Sequence, residues 1–210
     1  MNTIVVGIAG LAGAGKDTFA NYLIEELKKY QVSVGTYAFA EPVKHVAGYV
    51  FGMTEEELHT QAGKAAVSIH GYGLTNREIL QKVGTESFRD VFAQQIWIDF
   101  ANRVLSERTD VFTIITDLRF ENELNFVQSN GISIQIDAPK RNKITVPDHP
   151  SERFVQNMPV DIIVTNDGSL ADLQVAAAEV AKVLIFPLAE QLEGNIGANY
   201  ASHFKSTIRW

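Results

Sequence analysis

The sequence contains no cysteine among its 210 residues. Disulfide bonds, zinc sites built from thiolates and catalysis by a thiol are therefore excluded. Long apolar runs are missing too, since no stretch approaches the ~18 residues of a membrane span. The N-terminus also lacks the basic region and apolar core of a signal peptide. We therefore expect a cytoplasmic protein with no membrane partner.

Positive charge is scarce. There are 18 Lys and Arg residues against 25 Asp and Glu, so the formal net charge is −7. A protein that wraps polymeric nucleic acid needs a broad basic face to displace counterions, and this sequence does not supply one. We expect a small partner instead, met by basic side chains that are concentrated locally.

Short apolar runs alternate with helical patterns along the chain. Five runs predict strands buried on both faces: Ile4 to Ala9, Val32 to Phe39, Val111 to Thr116, Ile132 to Ile136 and Val160 to Val164. Helix starts with capping-box signals follow Thr54, Thr75 and Ser169. This alternation predicts an α/β fold with a parallel sheet. Because ligands lie across the carboxyl ends of such strands, the residues after each strand are the functional candidates.

A glycine-rich segment follows the first predicted strand and fits the spacing GxxxxGK, from Gly10 to Lys16. A polyphosphate is held by backbone N–H groups in a tight turn, and glycines keep that turn free of side chains. Lys16 can reach the β and γ oxygens, and the next helix adds its positive dipole end. The segment predicts an ATP-binding loop of Gly13, Ala14, Gly15, Lys16, Asp17 and Thr18. The alternative is an ordinary glycine-rich turn.

The residue after the lysine departs from the usual pattern. A Ser or Thr is expected there, but Asp17 occupies the position and Thr18 follows. Mg²⁺ prefers carboxylate and water oxygens, so Asp17 and Thr18 are candidate metal ligands, directly or through water. Asp17 could instead orient the ligands from a second layer or cap the helix that follows.

Two side chains after the third predicted strand are candidate catalytic groups. Asp117 stands at the strand end, where a carboxylate can orient a Mg²⁺-bound water or accept the proton of the attacking phosphate. Its alternative role is to cap a turn. Arg119 carries a planar fork suited to a phosphate, but it could also form an ion pair with Glu123.

Candidate acceptor-binding residues lie between the second and third predicted strands. Phe39 ends the second strand and Lys44 follows it, while Arg77 and Arg89 lie in a helical region. Each basic side chain could equally be a solvated surface group.

The segments after the fourth and fifth strands complete the candidate list. Lys140, Arg141 and Lys143 lie in an irregular stretch that could close as a lid and bring cations to the transferred group. Arg141 is the catalytic candidate among them, although a basic loop is also commonly just solvated. The turn that starts at Asn166 could border the adenine of ATP, or be a plain turn.

These predictions give a single domain with two specialised regions. The interval 76–108 is too long for one ordinary helix and should break near Gly84 or around Ala93. We assign residues 1–190 to the domain, about 138–158 to the lid, about 40–108 to the acceptor-binding region, and 191–210 to a C-terminal tail.

With these motifs in view, the chain resembles the deoxynucleoside monophosphate kinases of tailed bacteriophages, within the wider group of P-loop nucleoside monophosphate kinases. The resemblance rests on the GKDT form of the loop, the Gly84 to Arg89 segment, the Asp117 to Glu123 run, the His149 to Glu152 segment and the turn at 166–168.

The resemblance implies a P-loop NTPase three-layer fold, with a central five-stranded parallel sheet flanked by helices, a lid and an acceptor-binding region. It implies transfer of the γ-phosphate of ATP to a deoxynucleoside 5′-monophosphate with Mg²⁺, and relatives that form homodimers. Lys16 and the loop would hold the donor, Arg89 and Arg119 the acceptor, and Arg141 the transition state.

The resemblance does not fix the accepted base, which depends on pocket shape around Phe39, Trp97 and residues 61–74. Two rival functions remain at this point. One is a P-loop kinase that phosphorylates an alcohol, resembling dephospho-coenzyme A kinase. The other is a nucleotide-binding module without useful catalysis.

Overall fold

The computed structural model describes residues 3–140 and 150–193. Its centre is a sheet of five parallel strands in the order β2-β3-β1-β4-β5. The strands are β1 (Ile4–Ala9), β2 (Val34–Tyr37), β3 (Phe112–Ile115), β4 (Gly131–Asp137) and β5 (Ile162–Thr165). The predicted α/β fold with a five-stranded parallel sheet is therefore confirmed.

Helices connect the strands. In chain order they are α1 (Lys16–Lys29), α2 (Glu41–Phe51), α3 (Glu55–His59), α4 (Gln61–Ala65), α5 (Asn76–Gln81), a π-helix (Lys82–Arg89), α6 (Ile96–Ser106), α7 (Glu121–Asn130), α8 (Pro150–Gln156) and α9 (Leu170–Glu193). No helix within residues 3–140 and 150–193 is both long and apolar enough to cross a bilayer.

Burial differs between central and edge strands. All four residues of β3 are buried, as are five of the six in β1. In β5, by contrast, buried and exposed residues alternate, and Ile163 is 53% exposed; no residue of β2 is fully buried. The expectation that all five strands are buried on both faces is wrong for β2 and β5, because each lies at an edge of the sheet.

Helix α1 presents one apolar face to the core. Phe19, Leu23 and Leu27 recur at the helical spacing of four residues and are fully buried. They join a cluster that includes Ile134 of β4 and Ala177 of α9. This packing fixes the helix whose first turn carries the glycine-rich loop.

The chain divides into two compact units, one of residues 1–37 and 105–210, the other of residues 38–104. The second unit contains α2 to α5, the π-helix and most of α6. Its apolar cluster of buried side chains consists of Val43, Ala47, Met53, Leu58, Ile79, Val83 and Trp97. It spans nearly the same residues as the predicted acceptor-binding region, whose role stays a prediction.

Local caps define several helices of the second unit. The Thr75 hydroxyl accepts from the Glu78 N–H, and Glu78 Oε2 accepts in return from the Thr75 N–H at 2.8 Å. These hydrogen bonds from Thr75 hold the pKa of Glu78 below its ordinary value. Thr54 and Glu57 repeat the arrangement. The capping boxes predicted at Thr54 and Thr75 are therefore confirmed.

The predicted break in the interval 76–108 lies at its second proposed position. The π-helix continues from α5 without interruption, so Gly84 does not end a helix, and α6 begins only at Ile96. The interruption therefore spans residues 90–95.

Candidate active site

The loop between β1 and α1 has the backbone that its glycines predict. Gly13 has φ +77°, a left-handed conformation that residues with a side chain rarely adopt. At Gly10 a Cβ atom would lie 2.6 Å from the carbonyl oxygen of Ile136. Glycine is thus required once by conformation and once by close approach, and the turn is kept clear of side chains.

Lys16 is the first residue of α1, and its side chain folds back over the loop. Its Nζ donates to the carbonyl oxygens of Gly10 at 2.8 Å and Leu11 at 3.0 Å. The ammonium is therefore held over the loop, and its reach to phosphate oxygens stays a prediction.

Asp17 and Thr18 lie in the first turn of α1. The N-cap position belongs to Gly15, which makes no side-chain cap, so the interpretation of Asp17 as the helix cap is wrong. Asp17 is exposed and Thr18 half-buried. A carboxylate in the first turn is stabilised by the helix dipole.

Asn166 connects the end of β5 to the loop. Its side chain is 3% exposed, and its Nδ2 donates to the carbonyl oxygen of Ala14 at 2.8 Å. Its backbone N–H donates to the carbonyl of Asp137 at 2.6 Å. Sequence reasoning selected Asn166 for the adenine but missed this contact, since a pair 152 residues apart leaves no local signal.

The register of the sheet brings the loop and Asp117 to the same end of the strands. Gly7 of β1 pairs with Ile115 of β3, so Asp117 is level with Ala9, the residue before the loop. Asp117 is half-buried. The carboxyl ends of these neighbouring strands therefore carry both the glycine-rich loop and a carboxylate.

Arg119 has an exposed side chain beyond the end of β3. Glu123 Oε2 accepts from the backbone N–H groups of Arg119 at 2.9 Å and Phe120 at 3.1 Å. Among the described residues no carboxylate forms an ion pair with the Arg119 guanidinium. The alternative of an Arg119–Glu123 ion pair is therefore not realised, because Glu123 is engaged by the start of α7.

The candidates Phe39, Lys44 and Arg77 belong to the second unit. Phe39 is buried, with 3% exposure. The Lys44 ammonium lies 3.5 Å from Glu41 Oε2, and Arg77 Nη2 donates to Gln61 Oε1 at 2.8 Å. Lys44 and Arg77 are thus held by neighbours on the unit's own helices.

Arg89 ends the π-helix and is only 6% exposed. The indole Nε1–H of Trp97 donates to the carbonyl of Gly84 at 2.8 Å, within the same π-helix. The Trp97 ring also lies 5.0 Å, centroid to centroid, from that of Phe88. Sequence reasoning placed Arg89 on an ordinary helix, but π-helices are rare and often occur at functional sites.

Part of the predicted lid, residues 141–149, lies outside the described residues. Arg141 and Lys143 belong to this part. Lys140, just before them, is exposed, and its N–H donates to Asp167 Oδ1 at 3.0 Å.

A comparison with protein families identifies the chain. The sequence model of the family described as deoxynucleotide monophosphate kinase matches residues 56–176, more than half of the chain. The chain belongs to this family. The resemblance stated from the motifs is therefore confirmed, and so is the prediction of a kinase that phosphorylates a deoxynucleoside monophosphate.

Curated relatives of this deoxynucleotide monophosphate kinase come from viruses. A protein of Acanthamoeba polyphaga mimivirus, provisionally named deoxynucleotide monophosphate kinase, is 29% identical over 80% of this chain and 91% of its own length. The deoxynucleoside-5′-monophosphate kinase of Escherichia phage T5 is 24% identical over 71% of this chain and 84% of its own.

Among solved structures, the kinase is similar to the shikimate kinase of Aquifex aeolicus. The TM-score is 0.46 and the identity 19%, over 91% of this chain and 99% of the other.

Proposed function

We propose that the loop of residues 10–18 binds ATP, and that the enzyme transfers its γ-phosphoryl group to a deoxynucleoside 5′-monophosphate, releasing ADP and the diphosphate. The observation that carries the proposal is the turn between β1 and α1, which is free of side chains and holds the Lys16 ammonium. Its place at the carboxyl edge of the sheet and the family membership support it.

On the donor side, we assign the backbone N–H groups of Gly13 to Thr18 to the phosphates. The Lys16 ammonium, now bonded to two carbonyls of the loop, would exchange them for phosphate oxygens. That exchange is favourable because hydrogen bonds between charged partners are stronger than those to neutral carbonyls.

Mg²⁺ fits the side chains near the loop. The ion usually keeps several waters and takes only one or two carboxylates beside phosphate oxygens. Within residues 3–140 and 150–193 no group of three or more His, Cys, Asp or Glu side chains is arranged so that it could hold a metal ion, so a dedicated protein cage is not available there. We assign Asp17 and Thr18 as its ligands, and the bound ion would neutralise charge developing on the phosphates.

Asp117 is the candidate for orienting a water molecule or accepting a proton. Its carboxylate at the end of β3 would orient a Mg²⁺-bound water or accept the proton of the attacking phosphate. The first role fits its half-buried position just beyond β3, the strand that pairs with β1.

On the acceptor side, we assign Arg119 and Arg89 to the monophosphate, with Phe39, Lys44 and Arg77 as further contacts. The exposed Arg119 guanidinium supports the first assignment. Arg141 is proposed to stabilise the transition state on the strength of the motif resemblance alone. Phosphoryl transfer depends chiefly on positioning and charge neutralisation, which are the contributions that arginines make.

We further propose that the enzyme is cytoplasmic. We also propose that it has no nucleic-acid polymer as partner, since its net charge is −7. A homodimer is the assembly that the motif resemblance suggests, and light scattering after size-exclusion chromatography would test it.

A coupled assay of ADP release tests the proposed reaction. It uses ATP, Mg²⁺ and each of the common deoxynucleoside monophosphates in turn, with Lys28→Ala, at the exposed far end of α1, as a control. ADP release with at least one monophosphate supports the proposal. Release only with a pantetheine alcohol would support the alcohol kinase, and tight ATP binding without release would support the non-catalytic module.

A further inference from the structure

Asn166 is buried against the loop rather than open to a ligand. With 3% exposure, its side chain uses Nδ2 to donate to the carbonyl oxygen of Ala14, itself a fully buried residue. While the amide is in place, the buried carbonyl is closed to water. The contact therefore determines the orientation of the Ala14 carbonyl.

The neighbouring Gly15 has a backbone shaped to receive this amide. Gly15 has φ +95°, and a Cβ atom built on it would collide with Asn166 Nδ2. The amide thus occupies the volume that a side chain would take at Gly15. Glycine is therefore favoured at this position both by its backbone conformation and by the presence of the Asn166 amide.

The orientation of one carbonyl sets the orientation of the next N–H. In a trans peptide unit the C=O and the N–H point in opposite directions, and the described peptides are all trans. Because Asn166 holds the Ala14 carbonyl on its own side, the Gly15 N–H points the opposite way. It belongs to the set of loop N–H groups that we assign to the phosphates.

Asn166 is itself anchored to the sheet. Its N–H donates to the Asp137 carbonyl at 2.6 Å, one residue beyond the pairing of Asp137 with Thr165 in the β4–β5 ladder. The side chain therefore connects the rigid sheet edge to the loop.

We propose that Asn166 is a positioning residue of the phosphate loop, which aims the Gly15 N–H at the polyphosphate by holding the Ala14 carbonyl. This inference rests on the proposed function. It differs from the expectation that Asn166 borders the adenine, because it predicts an effect on phosphate binding that needs no base.

Asn166→Asp tests it, since the carboxylate keeps the shape of the amide but cannot donate to the carbonyl. Binding of ATP and of inorganic tripolyphosphate is measured by calorimetry, with folding checked by thermal melting. We expect the dissociation constants of both ligands to rise by the same factor, about tenfold or more. The KM for the deoxynucleoside monophosphate should stay near that of the unchanged enzyme.

Two further variants keep the test decisive. Asn166→Ala leaves room for water at the Ala14 carbonyl, so it should weaken the binding of both ligands less than Asn166→Asp does. It also replaces the aspartate variant in the test if that variant does not fold. Gln128→Leu is the matched control, because it removes another amide donor, the one 2.9 Å from the Pro159 carbonyl, away from the loop. It should leave both affinities unchanged.

Each other outcome has a distinct meaning. Weaker ATP binding with unchanged tripolyphosphate binding would assign Asn166 to the base and overturn the inference, as would unchanged binding of both. If Lys16→Ala binds tripolyphosphate as well as the unchanged enzyme, the proposed donor loop is wrong, and the inference falls with it.

Discussion

The two compact units of the kinase are stabilised in different ways. The first has a parallel sheet whose strands pair across long stretches of sequence, covered by fully buried side chains such as Leu23 and Leu27. The second has short helices fixed by local capping boxes and a small apolar cluster. It also exposes large side chains, with Ile69 at 86% and Tyr72 at 95%.

This difference matches the tasks that we propose for the units. The donor nucleotide always presents the same polyphosphate. The loop that binds it therefore benefits from a rigid, preorganised support. Acceptors differ in their bases, and residues on short, locally stabilised helices can adjust at lower cost. The contrast therefore predicts that substitutions in the phosphate loop affect the donor, whereas substitutions in the second unit affect the acceptor. Arg119 of the first unit is assigned to the acceptor as well.

Lys16→Ala should have the largest effect. It removes the cation of the loop, so we expect turnover to fall by a factor of about 100 to 1000 or more. Because the Lys16 ammonium is bonded to two carbonyls of its own loop and lies outside the apolar core, the melting temperature should stay close to that of the unchanged enzyme. Near-normal turnover in the coupled assay would contradict its role.

Arg119→Ala should mainly reduce the use of the acceptor. Loss of a charge-assisted hydrogen bond is worth about 1.5–3 kcal/mol, so kcat/KM for the monophosphate should fall roughly tenfold to a hundredfold. ATP binding should change little. Lys182→Ala on α9, which removes a cation paired with Glu179, is the control. An effect confined to thermal stability would show that Arg119 is structural.

Trp97→Phe tests the second unit. The ring stays beside Phe88, but the hydrogen bond to the Gly84 carbonyl is lost, which costs about 1 kcal/mol of stability. Because Arg89 ends the same π-helix, we expect a higher KM for the acceptor and unchanged ATP binding. Tyr72→Phe, an exposed change in the same unit, should alter neither. A change in ATP binding alone would break the separation of the units.

Glu78→Gln should have the smallest effect, and it should depend on pH. The pKa of Glu78 is lowered by hydrogen bonds from Thr75, so its stabilising effect is present above the ordinary carboxyl pKa and is lost as the pH falls below it. The variant should melt slightly below the unchanged enzyme at neutral pH, and the gap should close in acid. A gap independent of pH would rule out the carboxylate as its cause.

Sequence alone predicted the features that depend on local chemistry. The glycine-rich loop, the five strands and the capping boxes at Thr54 and Thr75 each have a signal within a few residues. Burial of the edge strands was predicted wrongly, because a run such as Ile162 to Val164 does not reveal that it lies at the border of a sheet.

The features that sequence missed depend on distant or unusual geometry. The Asn166 contact with Ala14 needs the whole sheet between them. The π-helix at Lys82–Arg89 follows no pattern that apolar spacing at 3.6 residues per turn would reveal. Glu123 could be proposed as an ion-pair partner of Arg119, but only the structure shows its carboxylate bonded to the backbone at the start of α7.

The central claim is that the loop after β1 encloses the polyphosphate of ATP. A crystal structure with a non-hydrolysable ATP analogue, Mg²⁺ and a deoxynucleoside monophosphate tests it most directly. We predict phosphate oxygens within hydrogen-bond distance of the Gly13 to Lys16 N–H groups and of Lys16 Nζ. An analogue whose phosphates lie away from this loop would contradict the account.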